Sequence, residues 1–179
     1  MRIVGGKYRG KKLISPTSQN VRPTSDKARE ALFNILRSRL GGNYGKLKLL
    51  DIFSGSGAFG LEAISQGFAE VALVDVDVRD LQKNVDLFVA EKNKIKIVRA
   101  DVTKDILLPA KYDVVFSDAP YNKGLTEKAL GKICPFLNNG ALCFVEIEKK
   151  EQCNLPHQYK LLDERNYGLA KVLIAQVIL

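Results

Sequence analysis

Four carboxylates stand at or near the ends of apolar runs, where a small charged ligand can reach them: Asp51, Asp75, Asp101 and Asp118. The first opens the stretch Asp51-Ile52-Phe53-Ser54-Gly55-Ser56-Gly57-Ala58-Phe59-Gly60, in which Gly55, Gly57 and Gly60 satisfy GxGxxG. Such glycines permit a tight turn and let a ligand approach the backbone at a helix N-terminus. Asp75 follows Gly55 by twenty residues, where an acid accepts hydrogen bonds from both hydroxyls of a ribose. Asp77 can share that role. Alone, the pattern fits a nicotinamide dinucleotide equally well. Asp51 separates the two ligands. A carboxylate four residues before Gly55 is unhelpful beside a pyrophosphate, but it suits the ammonium of S-adenosylmethionine, directly or through water. Asp101 is spaced for an adenine amino group. Phe53, Ser54, Gly55, Gly57 and Val102 complete the expected cofactor-binding set. Each acid also has a plainer explanation: Asp51 as a helix cap, Asp75 as a loop acid, Asp101 as an N-cap.

Asp118-Ala119-Pro120-Tyr121 follows an apolar strand. It offers a carboxylate, rigid backbone with free carbonyls, and an aromatic face. Methylation of an exocyclic amine needs these features, because the amine lone pair is delocalised into the base. Hydrogen bonds from its two N–H groups to Asp118 and the carbonyl of Ala119 hold it toward a methyl donor. Tyr121 stacks on the base, worth roughly 1–3 kcal/mol. With a cationic donor, alignment supplies most of the catalysis and no metal is required. Cys134, Cys143 and Cys153 lack CxxC spacing, and His157 is the only histidine. A zinc site and a disulfide framework are therefore not expected.

The net charge of +8 is concentrated. Residues 1–46 hold eleven Lys and Arg against Asp26 and Glu30, while the rest of the chain is nearly balanced. A basic segment of this kind suits a phosphate backbone. No apolar run is long enough to span a bilayer, and the opening residues lack the apolar core of a signal peptide. A cytoplasmic protein is expected. Nothing in the sequence demands an oligomer, so a monomer is expected too.

These residues need a scaffold that brings them to one edge. Residues 1–14 read as a small basic β-hairpin, and a helix follows Thr24-Ser25-Asp26 and stops at Gly41-Gly42. From residue 47 the chain alternates between strands (47–53, 70–76, 95–100, 112–118, 140–147) and helices (58–66, 78–90, 123–137), then ends in two strands, 159–167 and 169–178. That order predicts an α/β fold with a parallel sheet covered on both faces and an antiparallel closing hairpin. Two units are expected: a basic extension over 1–46 and the catalytic domain over 47–179.

The chain resembles the RsmD family of bacterial 16S rRNA guanine-N2 methyltransferases. The likeness runs through Arg2-Ile3-Val4-Gly5-Gly6, Arg9-Gly10-Lys11-Lys12-Leu13, Arg22-Pro23-Thr24-Ser25-Asp26-Lys27-Ala28-Arg29-Glu30 and Leu32-Phe33-Asn34. The resemblance implies a Rossmann-like, class I S-adenosylmethionine-dependent methyltransferase. Its sheet would have seven strands, preceded by a hairpin-plus-helix extension. It also implies methylation at N2 of the guanine numbered 966 in small-subunit rRNA, free or in an assembled particle. The family motif is usually Asp-Pro-Pro-Tyr or Asp-Pro-Pro-Phe; here Ala119 takes its second place. Arg2, Lys7, Arg9, Lys11, Lys12, Arg22, Thr24, Lys27 and Arg29 are the expected RNA contacts. The competing readings are a DNA adenine-N6 or protein glutamine methyltransferase, a non-catalytic RNA-binding assembly factor on the same fold, and a nicotinamide oxidoreductase.

Overall fold

The chain runs α1 (Asp26–Leu40), β1 (Lys48–Ile52), α2 (Ala58–Gln66), β2 (Glu70–Asp75), α3 (Arg79–Asp86), β3 (Ile95–Arg99), β4 (Tyr112–Asp118), α4 (Leu125–Ile133), β5 (Leu137–Glu148), β6 (Tyr159–Tyr167) and β7 (Ala170–Val177). These elements come from a computed structural model that describes residues 1–15 and 25–179. The expected RNA contacts Arg22 and Thr24 lie outside the described residues.

The short apolar runs form a seven-stranded sheet in the order β3-β2-β1-β4-β5-β7-β6. β1 pairs parallel with both β2 and β4, and β4 pairs parallel with β5. β7 runs antiparallel to β5 and β6 antiparallel to β7, so the closing hairpin forms as expected. The chain leaves β1 toward β2 and β3, then returns to the other side of β1 with β4. The crevice beyond β1 and β4 is the topological switch point, where open α/β sheets bind ligands.

Alternating side chains give the sheet two cores. Leu49 of β1 and Val114 and Phe116 of β4 face α2, whereas Leu50, Ile52 and Val115 face α4. Phe33 of α1, Phe59 of α2 and Phe116 form a ring column, with centroids 4.8 Å and 3.8 Å apart. Ile3, Leu13, Leu32 and Leu36 belong to that same core. Residues of the expected 1–46 extension therefore pack into the body formed by residues 47–179 and share its core.

Three expected elements differ in extent. The N-terminal hairpin forms as a short one: Arg2 and Lys12 make its antiparallel bridge, with Ile3 N–H on the Lys11 carbonyl (2.9 Å), Gly10 N–H on the Ile3 carbonyl (2.9 Å) and Leu13 N–H on the Met1 carbonyl (3.1 Å). The backbone donors between its two arms turn to α2. Val4 and Gly5 N–H go to the two oxygens of Glu62 (2.8 Å each), and Tyr8 N–H goes to Ser65 Oγ (2.8 Å). The helix expected over 78–90 ends at Asp86 and continues as a 3₁₀ turn from Val89 to Lys94. There the carbonyl of Leu87 takes Lys11 Nζ at 3.0 Å, while Phe88 packs edge-on against Tyr8. The helix expected over 123–137 stops at Ile133, and Pro135 sits in the short 3₁₀ turn that follows.

Candidate active site

β1 ends directly in the glycine loop. Gly57, at φ 77°, precedes the first turn of α2, in the left-handed region that glycine enters without strain. Gly60 sits where helix and sheet touch. A Cβ there would stand 2.2 Å from Leu73 Cδ2 and 2.9 Å from Val71 Cγ1. This is the close helix–strand packing demanded of the third glycine in such a loop.

Asp75 fastens the loop from the neighbouring strand. Its Oδ2 accepts Gly55 N–H at 2.8 Å and its Oδ1 accepts Asp77 N–H at 3.1 Å. Ser54 N–H bonds the carbonyl of Val74 at 3.1 Å. Asp77, the other acid considered beside Asp75, is exposed and paired with Arg79. Its carboxylate is held by the Arg79 guanidinium, with Nη2 at 2.5 Å from Oδ2, which lowers its pKa to about 2. Asp101 caps its own turn: Oδ1 accepts Thr103 N–H (3.1 Å) and Thr103 Oγ1–H (2.6 Å). These bonds hold it below the usual carboxylate range.

Asp51 lies beneath the loop and not at its mouth. Strand alternation turns it with Leu49 toward α2, where it is 2% exposed and its Oδ2 accepts Gly60 N–H at 3.0 Å. Burial pushes its pKa up to about 8. It caps the first turn of α2 through Gly60 N–H.

A cavity of about 220 Å³ opens beside this loop, lined by Phe53, Asp75, Asp101, Val102 and Thr103 together with Val74, Val76, Ala100, Pro120 and Leu125. The lining thus unites four residues of the expected cofactor set, Phe53, Asp75, Asp101 and Val102, with Pro120 of the second motif; Asp51, Ser54, Gly55, Gly57, Asp77 and Asp118 are not among the lining residues. Spacing did not single out Val76, Thr103 or Leu125. The signal for Val76 is an apolar residue next to Asp75, and it is 61% exposed. Asp118 ends β4 directly opposite Glu146 of β5. Ala119 is buried, Pro120 exposed, and Tyr121 Oη donates to Glu146 Oε1 at 3.0 Å.

The basic residues divide into two groups. Arg2, Arg9 and Lys27 line a groove of about 340 Å³ with Ile3, Val4, Gly10, Asp26 and Glu30. Lys12 is exposed as well. Arg29, expected on RNA, is fully buried: Nε faces Glu62 Oε2 at 3.4 Å and Nη2 reaches Asp26 Oδ1 at 3.0 Å and the Arg2 carbonyl. That expectation is corrected, because a guanidinium with no exposed surface cannot meet a phosphate. Lys7 extends to the surface with its ammonium 2.7 Å from Glu91 Oε1. Lys11 bonds the Leu87 carbonyl.

A family model described as "Conserved hypothetical protein 95" matches residues 1–176. Ribosomal RNA small subunit methyltransferase D of Haemophilus influenzae is 31% identical over 184 residues, covering 98% of this chain and 93% of the relative. The chain belongs to this family. It is the RsmD family of methyltransferases, and this chain is a methyltransferase. The solved structure of yhhF from Escherichia coli superposes with a TM-score of 0.80 at 31% identity, over 99% of this chain and 98% of that one. The fold alone is shared with the Thermus thermophilus 16S rRNA N2 G1207 methyltransferase RsmC, solved with AdoMet and guanosine (TM-score 0.62, 22% identity, 90% and 44% coverage). Within the RsmD pattern Ala119 stands where proline is usual, so the tetrapeptide has one ring constraint fewer.

Proposed function

We propose that this chain methylates the N2 amino group of a guanine in small-subunit rRNA, with S-adenosylmethionine as donor. The observation that carries the reading is that Pro120 lines the same cavity as Phe53 and Asp75. Phe53, which leads into the glycine loop, and the proposed base-binding motif therefore share one crevice, and family membership supports rRNA as the substrate. The residues fit the donor. Val76, Val102 and Pro120 offer apolar faces to a purine, and Asp75 and Asp101 offer carboxylates at its rim. Asp75 holds the loop and the ribose hydroxyls together. Asp51 supports the loop from below, and a cation above it favours its charged form. The bound donor supplies an electrophilic methyl on a cationic sulfur.

Asp118 and the Ala119 carbonyl accept the two N–H groups of the target amine and turn its nitrogen toward the cavity. Tyr121 stacks on the ring, and the walls exclude water. An unstacked loop guanine enters such a pocket at less cost than a paired one.

Titration calorimetry with S-adenosylmethionine and with NAD tests the cofactor, with binding expected for the first only. Asp75→Ala is expected to weaken binding about tenfold or more, since it loses a charge-assisted contact to ligand and loop. Asp77→Ala is expected to stay within about twofold, because its partner is Arg79. Equal losses in both variants, or binding of NAD, contradict the assignment.

We assign RNA phosphate contacts to Arg2, Arg9, Lys12 and Lys27, with Lys7 and Lys11 holding the N-terminal segment to the body. Neutralising Arg9 and Lys27 together is expected to lower the slope of log affinity against log salt by about two. An unchanged slope would mean the groove is only a solvated surface.

A further inference from the structure

Two residues of the loop after β4 are tied to the neighbouring strand. Tyr121 Oη donates to Glu146 Oε1 at 3.0 Å, and Asn122 Nδ2 donates to Glu148 Oε2. Glu146 and Glu148 are two apart on β5 and so share one face. Glu146 also pairs with Asp118 across the parallel ladder and is 5% exposed. The strand that flanks Asp118 therefore also holds the two residues after Pro120.

We propose that Glu146 is a positioning residue, which sets the plane of the Tyr121 ring for stacking on the target base, while Glu148 secures the turn at Asn122. The proposal rests on the reading of Asp118 to Tyr121 as the base-binding motif. A tyrosine ring turns about two side-chain torsions, and an unrestrained ring must be ordered when the base arrives. A hydrogen bond to a fixed carboxylate orders it beforehand, which lowers the cost of reaching the reactive geometry. Carboxylate acceptors make stronger hydrogen bonds than neutral ones. Asn122 itself has φ 58°, a left-handed backbone that asparagine adopts more readily than most residues. With Ala119 in the second motif position, Pro120 is the one ring constraint in the tetrapeptide. The two side-chain ties to β5 restrain the residues that follow it.

A double-mutant cycle tests this, with methyl transfer to rRNA and S-adenosylmethionine affinity both measured. Tyr121→Phe and Glu146→Leu are each expected to lower kcat/KM about tenfold, the scale of one lost hydrogen bond to a charged group. Cofactor affinity is expected to stay within about twofold. The double variant should be no worse than either single one, because both remove the same contact. Glu146→Gln, whose amide oxygen still accepts the phenol hydrogen, should recover most of the activity lost in Glu146→Leu. Multiplying losses in the double variant overturn the proposal, since Glu146 then acts apart from Tyr121. If Glu146→Leu does not fold, the remaining pair decides. A tenfold loss in folded Glu146→Gln, or full activity in Tyr121→Phe, overturns it. Asp118→Ala separates the two levels: activity retained there removes the underlying reading. An inactive Asp118→Ala alongside fully active Tyr121→Phe and Glu146→Leu removes the clamp alone.

Discussion

Asp118→Ala is expected to lower kcat for methyl transfer by a factor on the order of 10³, while the dissociation constant for S-adenosylmethionine stays within about tenfold. The asymmetry follows from where the residue sits. Asp118 ends β4, next to the residues that line the cavity but not among them. Its proposed work is on the amine, whose nitrogen must turn its lone pair out of conjugation and toward the donor. Without the carboxylate one N–H loses its acceptor and the amine relaxes into the plane of the base. Asp118→Asn keeps an oxygen acceptor without the charge and is expected to fall between the two. Single-turnover kinetics with saturating cofactor make the measurement. A rate equal to that of the unaltered protein would remove Asp118 from the chemistry.

The second large effect is on stability. Arg29→Ala is expected to destabilise the fold by about 3–5 kcal/mol, the usual consequence of leaving a buried charge without its partner. Glu62 is fully buried beneath the N-terminal segment, and Arg29 is the cation beside it. Glu62 also accepts Val4 and Gly5 N–H, so an unpaired charge there loosens the whole attachment of the segment to α2. Urea denaturation measures the change. For the protein that remains folded, the salt slope of RNA binding should match that of the unaltered chain, because Arg29 reaches no phosphate. A reduced slope with unchanged stability would return Arg29 to the RNA surface.

Arg29 also marks how far local pattern carries. Its position was legible: with Leu32, Phe33 and Leu36 it falls on the buried stripe of α1, a spacing that helical periodicity exposes once charge is set aside. Reading the basic segment by net charge alone hid it. The alternation of strands and helices was legible because apolar runs and glycine stops are local features, and β4 has the expected ends, Tyr112 and Asp118. The glycine loop and the Asp118 motif were legible for the same reason. The docking of the N-terminal hairpin on α2 was not. Its arms pair as the local pattern suggests, but Val4, Gly5 and Tyr8 between them donate to Glu62 and Ser65, more than fifty residues away, and no local pattern reports such partners. Asp51 fell between these cases. Its place before the glycines was visible, but its direction depends on which face of β1 meets α2, and that is set by tertiary packing. Val76 was overlooked because an exposed valine reads as surface until a cavity is found beside it.

The most direct test of the central claim is mass-spectrometric mapping of small-subunit rRNA from cells lacking this protein, before and after incubation with purified protein and S-adenosylmethionine. The account predicts one guanine that lacks an N2-methyl group in those cells and gains it on incubation, with the Asp118→Ala protein restoring none. A fully methylated rRNA in cells lacking the protein, or a methyl group arriving on another base or on DNA, would contradict it.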